Sequence, residues 1–371
     1  MPELIMVVNE DRFFLSHRKD IALSAQREGW DVTIVCKDTG QRTDVEQLGL
    51  KMMELPINPT GTNLWQEIKT FFFLLSLYRK NRDAIVHHVG LKSILWGSLA
   101  AKFAKVKGVV NAVSGLGILF SEGNISYMAK QILRLIRFAN DPKRVRVIFQ
   151  NHEDEQLFLR NRVIDKEQAV FIKGSGVNLE EFHYTPQPES DVIKVLFTGR
   201  MVKEKGVLVL IEAANALRND YEGKVEFLLC GGLHNNPQAM KESEIHQLCD
   251  GKYIQWLGFR KDVNQLLQQC HIVAFPSYYR EGVPKSLIEA CAVGRPIITT
   301  NSIGCKDTVE NGKNGFLVPP KHSERLAQTL RILIEDAQLR EKMGKEGRLK
   351  AEKEFSLEQV VKMHMAIYNE F

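Results

Sequence analysis

The sequence predicts an α/β protein made of two doubly wound domains, and three observations support this. First, the chain has 371 residues, which is more than one hydrophobic core usually serves. Second, apolar runs of strand length alternate with helical patterns, as they do in βαβ units around a parallel sheet. Third, this alternation begins again after a polar, proline-bearing stretch at residues 185–191.

The first domain is predicted to span residues 1–185. It opens with the apolar run LIMVV and an amphipathic helix from His17 to Arg27, and continues through DVTIVC, AIVHHV, GVVNAVS and VRVIFQ. The second domain, residues 186–355, repeats the pattern with VIKVLFTG, VEFLLCG, YIQWLG, HIVAFPS and RPIITT. Residues 356–371 form a last helical pattern with no strand after it, and we expect that helix to pack back on the first domain.

The composition is that of a folded globular protein, with 44% hydrophobic and 26% charged residues. The first residues, MPELIMVVNEDRF, lack the basic start and cleavage site of a secretory signal, and the longest apolar run, Phe71–Leu77, is too short to cross a bilayer. The six cysteines are scattered, without a C-x-x-C pair. We therefore expect a cytoplasmic protein with reduced thiols. A net charge of +5 favours anions in general without selecting one class of partner.

A candidate anion site follows the apolar run VLFT, where the chain reads GRMVKEKG from Gly199 to Gly206. Glycine lets the backbone turn closely at the carboxyl end of a strand, where α/β folds bind ligands. Arg200 and Lys205 add two cations beside a helix N-terminus, whose N–H groups already favour anions. A diphosphate fits such a loop, although a solvated basic turn explains this loop alone equally well.

A second loop, FPSYYREGVPKSLIEACAVGRP, places Glu281 just after a buried strand and Glu289 inside the helix that begins near Lys285. Two carboxylates at different depths can accept hydrogen bonds from two sets of sugar hydroxyls, and the deeper one suits a ribose. The backbone amides of Gly282, Val283 and Lys285 could reach phosphate or sugar. Two glutamates at this spacing are common by chance, so the interpretation depends on their combination with the basic loop.

The segments VLFTGRMVKEKG, REGVPKSLIEA, GRPIITTNSIGCKDTVENGKNGFLVPP and GSGVNLEEF resemble glycosyltransferase family 4, and the resemblance covers nearly the whole chain. It implies the GT-B fold, in which two Rossmann-like domains face a central cleft. It also implies retaining transfer of a sugar from a nucleotide-diphosphate donor, without an essential metal or other cofactor. Arg200 and Lys205 would neutralise the diphosphate, Glu289 would bind the ribose, and Glu281 would hold hydroxyls of the transferred sugar.

The resemblance also places the base of the nucleotide near Gly258 to Arg260, after the YIQWLG strand. We therefore predict one set of catalytic residues and one larger set of donor-binding residues. The catalytic residues are Arg200, Lys205 and Glu281. The donor-binding residues are Gly199, Arg200, Lys205, Gly258, Phe259, Arg260, Glu281, Gly282, Val283, Pro284, Lys285 and Glu289.

In the first domain, AIVHHVGLKSILWG followed by NAVSGLG resembles the branch of this family that extends sugars on polyprenyl-diphosphate carriers. The chain departs from that pattern at Ser114, where threonine is expected, and after the first strand, where Asn9 and Glu10 replace a glycine pair. The resemblance implies a polyprenyl-diphosphate-linked glycan as acceptor, with a UDP-sugar as donor. The predicted acceptor-binding residues are Lys92, Ser114, Gly115, Leu116 and Gly117.

A helical pattern within Tyr127–Arg146 places Lys130, Arg134 and Arg137 on one face. Such a basic amphipathic helix can lie on an anionic membrane, here the inner face of the plasma membrane, but an ordinary surface helix explains the pattern as well. The run FFFLLSLYRKNR shows the same ambiguity and is assigned to the core. Of the two histidines in AIVHHV, at least one is expected to be buried and hydrogen-bonded, and neither is expected to be catalytic.

Two alternatives stay open at this point. A sugar-nucleotide epimerase or hydrolase of the same architecture would act on the donor with no acceptor present, and a non-catalytic subunit would only bind a lipid-linked glycan. A dehydrogenase is disfavoured because no G-x-G-x-x-G follows the first strand. The chain also lacks a D-x-D carboxylate pair for a divalent metal, so we expect neither a metal nor a cofactor. We expect no nucleic-acid partner.

Overall fold

The computed structural model describes residues 1–58, 61, 63–117, 120, 126–233 and 239–371. These residues form two compact units. Unit 1 contains Met1–Ser175 and Glu358–Phe371, and unit 2 contains Gly176–Leu357. Each unit is built on one parallel β-sheet, which confirms the predicted pair of doubly wound α/β domains. Within the described ranges, no helix combines the length and the apolar character needed to cross a bilayer.

The described part of unit 1 contains seven parallel strands in the order β3-β2-β1-β4-β5-β6-β7. The chain winds outward from β1 first in one direction and then in the other, and open α/β sheets bind ligands at the carboxyl edge beside such a reversal. The strands are β1 Glu3–Glu10, β2 Asp31–Lys37, β3 Lys51–Glu54, β4 Ile85–Val89, β5 Gly108–Val113, β6 Val145–Phe149 and β7 Ala169–Phe171.

Helices cover both faces of this sheet. The apolar residues of α1, α2, α3 and the C-terminal helix α14 join one core cluster, and those of α4 to α7 join a second. The helices of unit 1 are α1 Asp11–His17, α2 Lys19–Arg27, α3 Arg42–Gln47, α4 Leu64–Lys80, α5 Leu91–Ala104, α6 Tyr127–Ala139, α7 His152–Arg160 and α14 Leu357–Tyr368.

The described part of unit 2 contains six parallel strands in the order β10-β9-β8-β11-β12-β13. The strands are β8 Ile193–Thr198, β9 Val225–Cys230, β10 Ile254–Gly258, β11 Ile272–Phe275, β12 Ile297–Thr300 and β13 Gly315–Val318. The helices are α8 Val207–Tyr221, α9 Glu242–Leu248, α10 Val263–Gln269, α11 Lys285–Val293, α12 Ser323–Glu335 and α13 Ala337–Glu354. In this sheet β8 and β11 are neighbours, so the loops that follow them leave the same edge side by side.

The C-terminal helix α14 packs on unit 1 through its apolar side. Val360, Met365 and Ile367 lie in the same core cluster as strand β2. The ring of Tyr368 lies 5.9 Å from that of Trp30, centroid to centroid. The last residues of the chain therefore complete the core that the first residues begin.

Residues 176–185 belong to unit 2, whereas the sequence placed the domain boundary after residue 185. The backbone N–H of Val177 donates to the carbonyl oxygen of Phe355 at 2.9 Å. The buried guanidinium of Arg295 donates to the hydroxyl of Thr185. The segment is thus tied into unit 2 at both ends by partners that are remote in sequence, which a polar and proline-bearing composition does not reveal.

Both histidines of β4 are buried, and successive residues of a strand point to opposite faces of the sheet. His88 Nδ1 bonds to Asn111 Oδ1 at 2.8 Å, and its Nε2 bonds to the hydroxyl of Tyr78 at 2.8 Å. His87 Nδ1 bonds to the hydroxyl of Tyr368 at 2.6 Å. Burial lowers the pKa of His88 to about 4, so the ring is neutral at physiological pH.

Gly97 of α5 leaves the space that the His88 ring occupies. A Cβ at this position would lie 2.3 Å from the ring. Because both ring nitrogens are already bonded, the ring cannot move without losing a hydrogen bond. We therefore expect Gly97→Ala to lower the free energy of unfolding by about 2–4 kcal/mol, measured by urea denaturation.

The matched control is Gly347→Ala in α13, where an added Cβ would meet its nearest atom at 3.5 Å. Alanine is favoured over glycine in a helix by about 1 kcal/mol, so this variant should be as stable as the wild type or more stable. Wild-type stability of Gly97→Ala would contradict the packing described for His88.

Candidate functional site

The loop Gly199–Gly206 between β8 and α8 carries the predicted anion-binding residues Gly199, Arg200 and Lys205. Within it, Lys203–Lys205 forms a short 3-10 turn just before the helix. Gly206 has a φ of 84°, and an added Cβ would lie 2.1 Å from the carbonyl oxygen of Pro276. Only glycine therefore fits where this loop passes the end of the neighbouring strand β11.

Glu281 lies on the loop between β11 and α11, as predicted, and its side chain is 11% exposed. Its Oε1 accepts a hydrogen bond from Nζ of Lys205, so the two residues form an ion pair between the loops. The hydroxyl of Ser277 donates to the same oxygen at 3.2 Å. The side chain of Lys205 is 13% exposed, and the pair is therefore largely shielded from water.

Main-chain contacts hold these two loops together. The carbonyl oxygen of Glu204 accepts hydrogen bonds from the N–H of Tyr278 at 2.9 Å and of Tyr279 at 3.1 Å. Nζ of Lys205 lies 5.4 Å from the ring centroid of Phe275 and 5.5 Å from that of Tyr279. These cation–π contacts and the ion pair together fix the position of the ammonium group.

Arg200 is the exposed cation of the same loop. Burial raises the pKa of the Tyr279 hydroxyl, the Glu281 carboxylate raises it further, and the Arg200 guanidinium opposes the rise. Arg200 therefore acts on the same tyrosine whose ring Lys205 contacts. The loop thus presents two cations at different depths, which suits an anion with two charged groups such as a diphosphate.

The turn Gly282–Pro284 is buried and leads into α11, which begins at Lys285. Glu289 lies one turn into that helix, with its Oε1 3.6 Å from Nζ of Lys285 and its side chain 12% exposed. Burial raises the pKa of Glu289 to about 7, Lys285 acts against the rise, and Glu181 adds to it. This carboxyl group can therefore be neutral or ionised close to neutral pH.

Gly258 is the last residue of β10, and Phe259 and Arg260 follow it at the same edge of the sheet. The carbonyl oxygen of Gly258 accepts the N–H of Gly231 at 2.8 Å, so this loop contacts the one that follows β9. Phe259 is exposed, and Nε of Arg260 donates to Oδ1 of Asp262 at 2.7 Å. The structure thus gives Arg260 a carboxylate partner that the sequence did not predict.

Three residues that sequence reasoning omitted also shape this edge, namely Ser277, Gly231 and Gly304. A Cβ on Gly231 would lie 1.8 Å from the carbonyl oxygen of Gly199, and a Cβ on Gly304 would lie 1.6 Å from that of Gly282. Neighbouring loops approach one another this closely only because these residues lack side chains. A signal was present, because both glycines soon follow predicted strands, VEFLLC and RPIITT.

The predicted donor-binding residues therefore lie on adjacent loops at one edge of the sheet in unit 2. This edge combines two cations with a buried carboxylate and a buried carboxyl group that ionises near neutral pH. In the part of the chain that the structure describes, no three His, Cys, Asp or Glu side chains are grouped so that they could hold a metal ion. The arrangement suits a ligand that carries both phosphate and hydroxyl groups.

Lys92 lies in unit 1, in the first turn of α5. Its Nζ forms an ion pair with Oε1 of Glu67 at 2.6 Å and donates to the carbonyl oxygen of Asn58 at 2.7 Å. Nε1 of Trp96 donates to the other oxygen of Glu67. The predicted acceptor cation is thus held by a carboxylate of α4, whose position relative to Lys92 depends on helix packing.

The predicted acceptor residues Ser114–Gly117 directly follow β5. Ser114 is half-buried, and its hydroxyl accepts a hydrogen bond from Nη2 of Arg18 at 3.4 Å. Leu116 is buried in the core, and Gly115 and Gly117 have φ values of 95° and 62°. The loop therefore leaves the carboxyl edge of the unit 1 sheet with its first residue bonded to a guanidinium from the α1–α2 junction.

Family models match both halves of the chain. The model described as glycosyl transferase 4-like matches residues 3–151, and the model described as glycosyl transferases group 1 matches residues 180–350. The first range falls within unit 1 and the second within unit 2. Together with the two doubly wound units and the charged edge of unit 2, these matches define the protein as a glycosyltransferase. The chain belongs to the 4-like and group 1 glycosyltransferases, which confirms the family that its motifs indicated.

Curated relatives are enzymes of the same class. The chain is 27% identical over 333 residues, 85% of each chain, to N,N'-diacetylbacillosaminyl-diphospho-undecaprenol alpha-1,3-N-acetylgalactosaminyltransferase of Campylobacter jejuni. It is 25% identical over 305 residues to UDP-Gal:alpha-D-GlcNAc-diphosphoundecaprenol alpha-1,3-galactosyltransferase of Escherichia coli, covering 78% of this chain and 76% of the relative. The prediction that the protein is a transferase is confirmed.

Solved structures share the fold along the whole chain. Anabaena HepE in complex with UDP-glucose has a TM-score of 0.78 and 18% sequence identity, with full coverage of both chains. A glycosyltransferase from Rickettsia africae has a TM-score of 0.77 and 22% identity, covering 100% of this chain and 98% of that chain. At these identities the likeness establishes the fold, and the predicted GT-B fold of two Rossmann-like units is confirmed.

The raised pKa of Glu289 makes stability depend on pH. The folded protein keeps this proton up to about pH 7, whereas the unfolded chain releases it near the ordinary value of 4.5. Between these values the unfolded state binds fewer protons, so stability falls as the pH rises through this window. We expect Glu289→Gln to remove this pH dependence. At pH 8 the free energy of unfolding of the variant should exceed that of the wild type by a few kcal/mol.

At pH 4.5 the two proteins should differ little, because the carboxyl group is then protonated in the folded wild type. Thermal unfolding measured between pH 4.5 and pH 8 checks both statements. Parallel stability curves for the two proteins across this range would show that Glu289 is not the buried, weakly acidic group described above.

Proposed function

We propose that this glycosyltransferase moves a sugar from a UDP-sugar to a polyprenyl-diphosphate-linked glycan, with retention of the anomeric configuration. The observation that carries the proposal is the buried pair of Lys205 and Glu281 beside the exposed Arg200. Recognition of a nucleotide-sugar needs cations for the diphosphate and a carboxylate for sugar hydroxyls in one place. Uridine is supported by HepE, which was crystallised with UDP and with UDP-glucose.

In the proposed reaction, the bond between the anomeric carbon and the donor phosphate breaks, and negative charge grows on the leaving diphosphate. Arg200 and Lys205 stabilise this charge more strongly in the transition state than in the bound donor, so they raise turnover. The leaving phosphate accepts the proton of the acceptor hydroxyl, which attacks the same face of the sugar. No protein nucleophile is required.

The donor has to compete with Glu281 for the ammonium group of Lys205. A diphosphate offers Lys205 a partner with more negative charge, and the released carboxylate of Glu281 can then accept hydrogen bonds from the sugar. Binding of the diphosphate and binding of the sugar are thereby coupled through one ion pair. In the same proposal Glu289 holds the ribose hydroxyls, and the segment from Gly258 to Arg260 lies near the base.

The acceptor class is inferred from the relatives. The names of the C. jejuni and E. coli enzymes give a sugar linked to undecaprenol through a diphosphate as the acceptor. A third relative, CapM of Staphylococcus aureus, is 26% identical over 321 residues, 83% of this chain and 82% of the relative, and is named for capsular polysaccharide biosynthesis. We infer that this chain also extends a lipid-linked glycan in the synthesis of a surface polysaccharide or related glycan.

We further propose that the transfer needs no metal ion, because Arg200, Lys205 and the helix N-termini of α8 and α11 supply the positive charge that the diphosphate requires. An epimerase or hydrolase, and a subunit that only binds a lipid-linked glycan, are less favoured than a transferase. The relatives named above are transferases, and this chain matches them over most of their length. The chain also carries both the basic loop and the pair of glutamates.

The test of this proposal is a transfer assay with a UDP-sugar and a short polyprenyl-diphosphate-linked sugar, run with EDTA and with magnesium. We expect Arg200→Ala and Lys205→Ala to lower kcat by about a hundredfold, the loss seen when an oxyanion donor is removed. The matched control is Lys203→Ala, since Lys203 lies in the same turn and is paired with Glu244 at 3.3 Å. Its kcat should stay within about twofold of the wild type, because surface ion pairs contribute little.

Normal turnover in both Arg200→Ala and Lys205→Ala would overturn the assignment of the diphosphate site. Loss of transfer in EDTA, restored by magnesium, would overturn the metal-independent mechanism alone. Hydrolysis of the donor at the same rate with and without acceptor would favour a hydrolase.

A surface of unit 1 supports peripheral contact with an anionic membrane. Three exposed aromatic residues lie near one another on it, Phe72 of α4, Phe103 of α5 and Phe138 of α6. The ring of Phe71 links the first two, at centroid distances of 5.2 and 6.2 Å, and Phe103 lies 6.4 Å from Phe138. The assignment of the FFFLLSLYRKNR run to the core is wrong for Phe72, which is 60% exposed.

Helix α6 adds positive charge to this aromatic surface. Lys130, Arg134 and Arg137 are exposed on it, as is the apolar Leu135. Nζ of Lys102 lies 4.8 Å from the ring centroid of Phe138. Exposed aromatic rings beside cations are suited to the interface of a membrane with anionic lipids, so we infer that the enzyme binds such a membrane where its lipid-linked acceptor lies.

Reversing three charges tests the membrane contact. Each cation near an anionic surface contributes about 1 kcal/mol, so the triple variant Lys130→Glu, Arg134→Glu and Arg137→Glu should lose at least a hundredfold in binding to vesicles that contain phosphatidylglycerol. Co-sedimentation measures this loss. The control carries the same change in net charge at three exposed lysines of unit 2, Lys252, Lys342 and Lys353. Equal loss in both variants would show that only net charge matters.

A further inference from the structure

Arg18, at the junction of α1 and α2, is a buried guanidinium group with few partners. The residue is 2% exposed. Its Nη1 donates to the carbonyl oxygen of His17 at 3.0 Å, and its Nη2 donates to the hydroxyl of Ser114 at 3.4 Å. Among the described residues, its Nε has no hydrogen-bond partner and no carboxylate forms an ion pair with it.

The side chains that act electrostatically on Arg18 are neutral at physiological pH. Burial lowers the pKa of His364 to about 3 and that of His87 well below its ordinary value, and burial raises the pKa of Tyr368. Burial also lowers the pKa of Arg18 itself to about 10, which leaves the guanidinium protonated. The group therefore carries a full positive charge, and no anion among the residues that the structure describes balances it.

An unbalanced charge in a protein interior is costly, because the desolvation of an ion amounts to several kcal/mol unless a partner compensates it. The carbonyl oxygen of His17 and the hydroxyl of Ser114 offer only partial compensation, since both are neutral acceptors. The remaining field of Arg18 acts on whatever lies next to it. In the direction of Ser114 this is the carboxyl edge of the sheet, where the loop Ser114–Gly117 follows β5.

We propose that the loop Ser114–Gly117 binds the diphosphate of the acceptor, that the hydroxyl of Ser114 contacts this anion, and that Arg18 is the buried counter-charge that positions Ser114 and stabilises the bound anion. The identity of the anion rests on the proposed function, because a polyprenyl-diphosphate-linked acceptor brings a diphosphate to unit 1. Arg18 is a positioning residue in this arrangement, since it acts through Ser114 and does not need to reach the surface.

The proposal predicts selectivity between acceptors. Two acceptors with the same sugar are compared, one linked to a short polyprenol through a diphosphate and one a neutral alkyl glycoside. In Arg18→Met the ratio of kcat/KM for the diphosphate acceptor to that for the neutral glycoside should fall about tenfold or more, because Ser114 loses its charged partner and the bound anion loses the nearby positive charge. Arg18→Lys keeps the charge and should restore most of the ratio.

Two further variants complete the comparison. Ser114→Ala leaves the buried charge in place and should lower the ratio by a smaller factor, which keeps the proposal testable if Arg18→Met does not fold. Arg27→Met, at an exposed position of the same helix α2, should keep the wild-type ratio. If Arg18→Met and Ser114→Ala each lowered kcat/KM by the same factor for both acceptors, the ratio would not change. That result would assign Arg18 a purely structural role and overturn the proposal.

A direct binding measurement separates this proposal from the proposed function. Pyrophosphate is titrated by calorimetry into wild type, Arg18→Met and Ser114→Ala, each saturated with UDP so that the donor site is occupied. Binding to wild type that is weakened about tenfold in Arg18→Met supports the anion site, even if the polyprenyl acceptor is not used. No binding to the wild type overturns the site, while transfer assays still decide whether the enzyme uses the proposed acceptor.

Discussion

The ion pair between Lys205 and Glu281 is the interaction on which the proposed donor site depends. It joins the loop after β8 to the loop after β11, and both side chains are largely withdrawn from water. Removing one partner from a buried pair leaves an uncompensated charge and costs about 3–5 kcal/mol of stability. Without a ligand, each of the two groups therefore stabilises the charge of the other. Ser277 and the rings of Phe275 and Tyr279 then fix the geometry of the pair.

Much of this site could be predicted from the sequence because parallel strands end at a common edge. The strand that ends before Gly199 and the strand that ends before Glu281 are both recognisable as apolar runs, so residues that follow them are expected to share a ligand. The helical period also places Lys285 and Glu289 on one face, and the structure finds them 3.6 Å apart. The pairing of Lys205 with Glu281 could not be predicted, since it requires that β8 and β11 be neighbours in the sheet.

The residues that the sequence did not explain are those whose surroundings come from remote parts of the chain. Lys92 reads as an available cation after a strand, yet Glu67 from α4 pairs with it. Arg18 stands in the polar run SHRKD and reads as a surface residue, but it is buried in unit 1 among side chains that include Tyr368 of the C-terminal helix. The end of the first domain was misplaced for the same reason, because the bond of Val177 to Phe355 spans most of unit 2.

The two proposed anion sites differ in how their positive charge is balanced before a ligand binds. In unit 2 the charge of Lys205 is already compensated by Glu281. A diphosphate that replaces Glu281 therefore gains only the difference between its own attraction to Lys205 and that of Glu281. In unit 1 the described neighbours of Arg18 are neutral, so none of them has to be displaced, and an anion on Ser114 would gain the full attraction that the distance allows. A balanced site disfavours weak anions, whereas an unbalanced site attracts them. We expect the first property for the proposed donor loop and the second for the loop after β5.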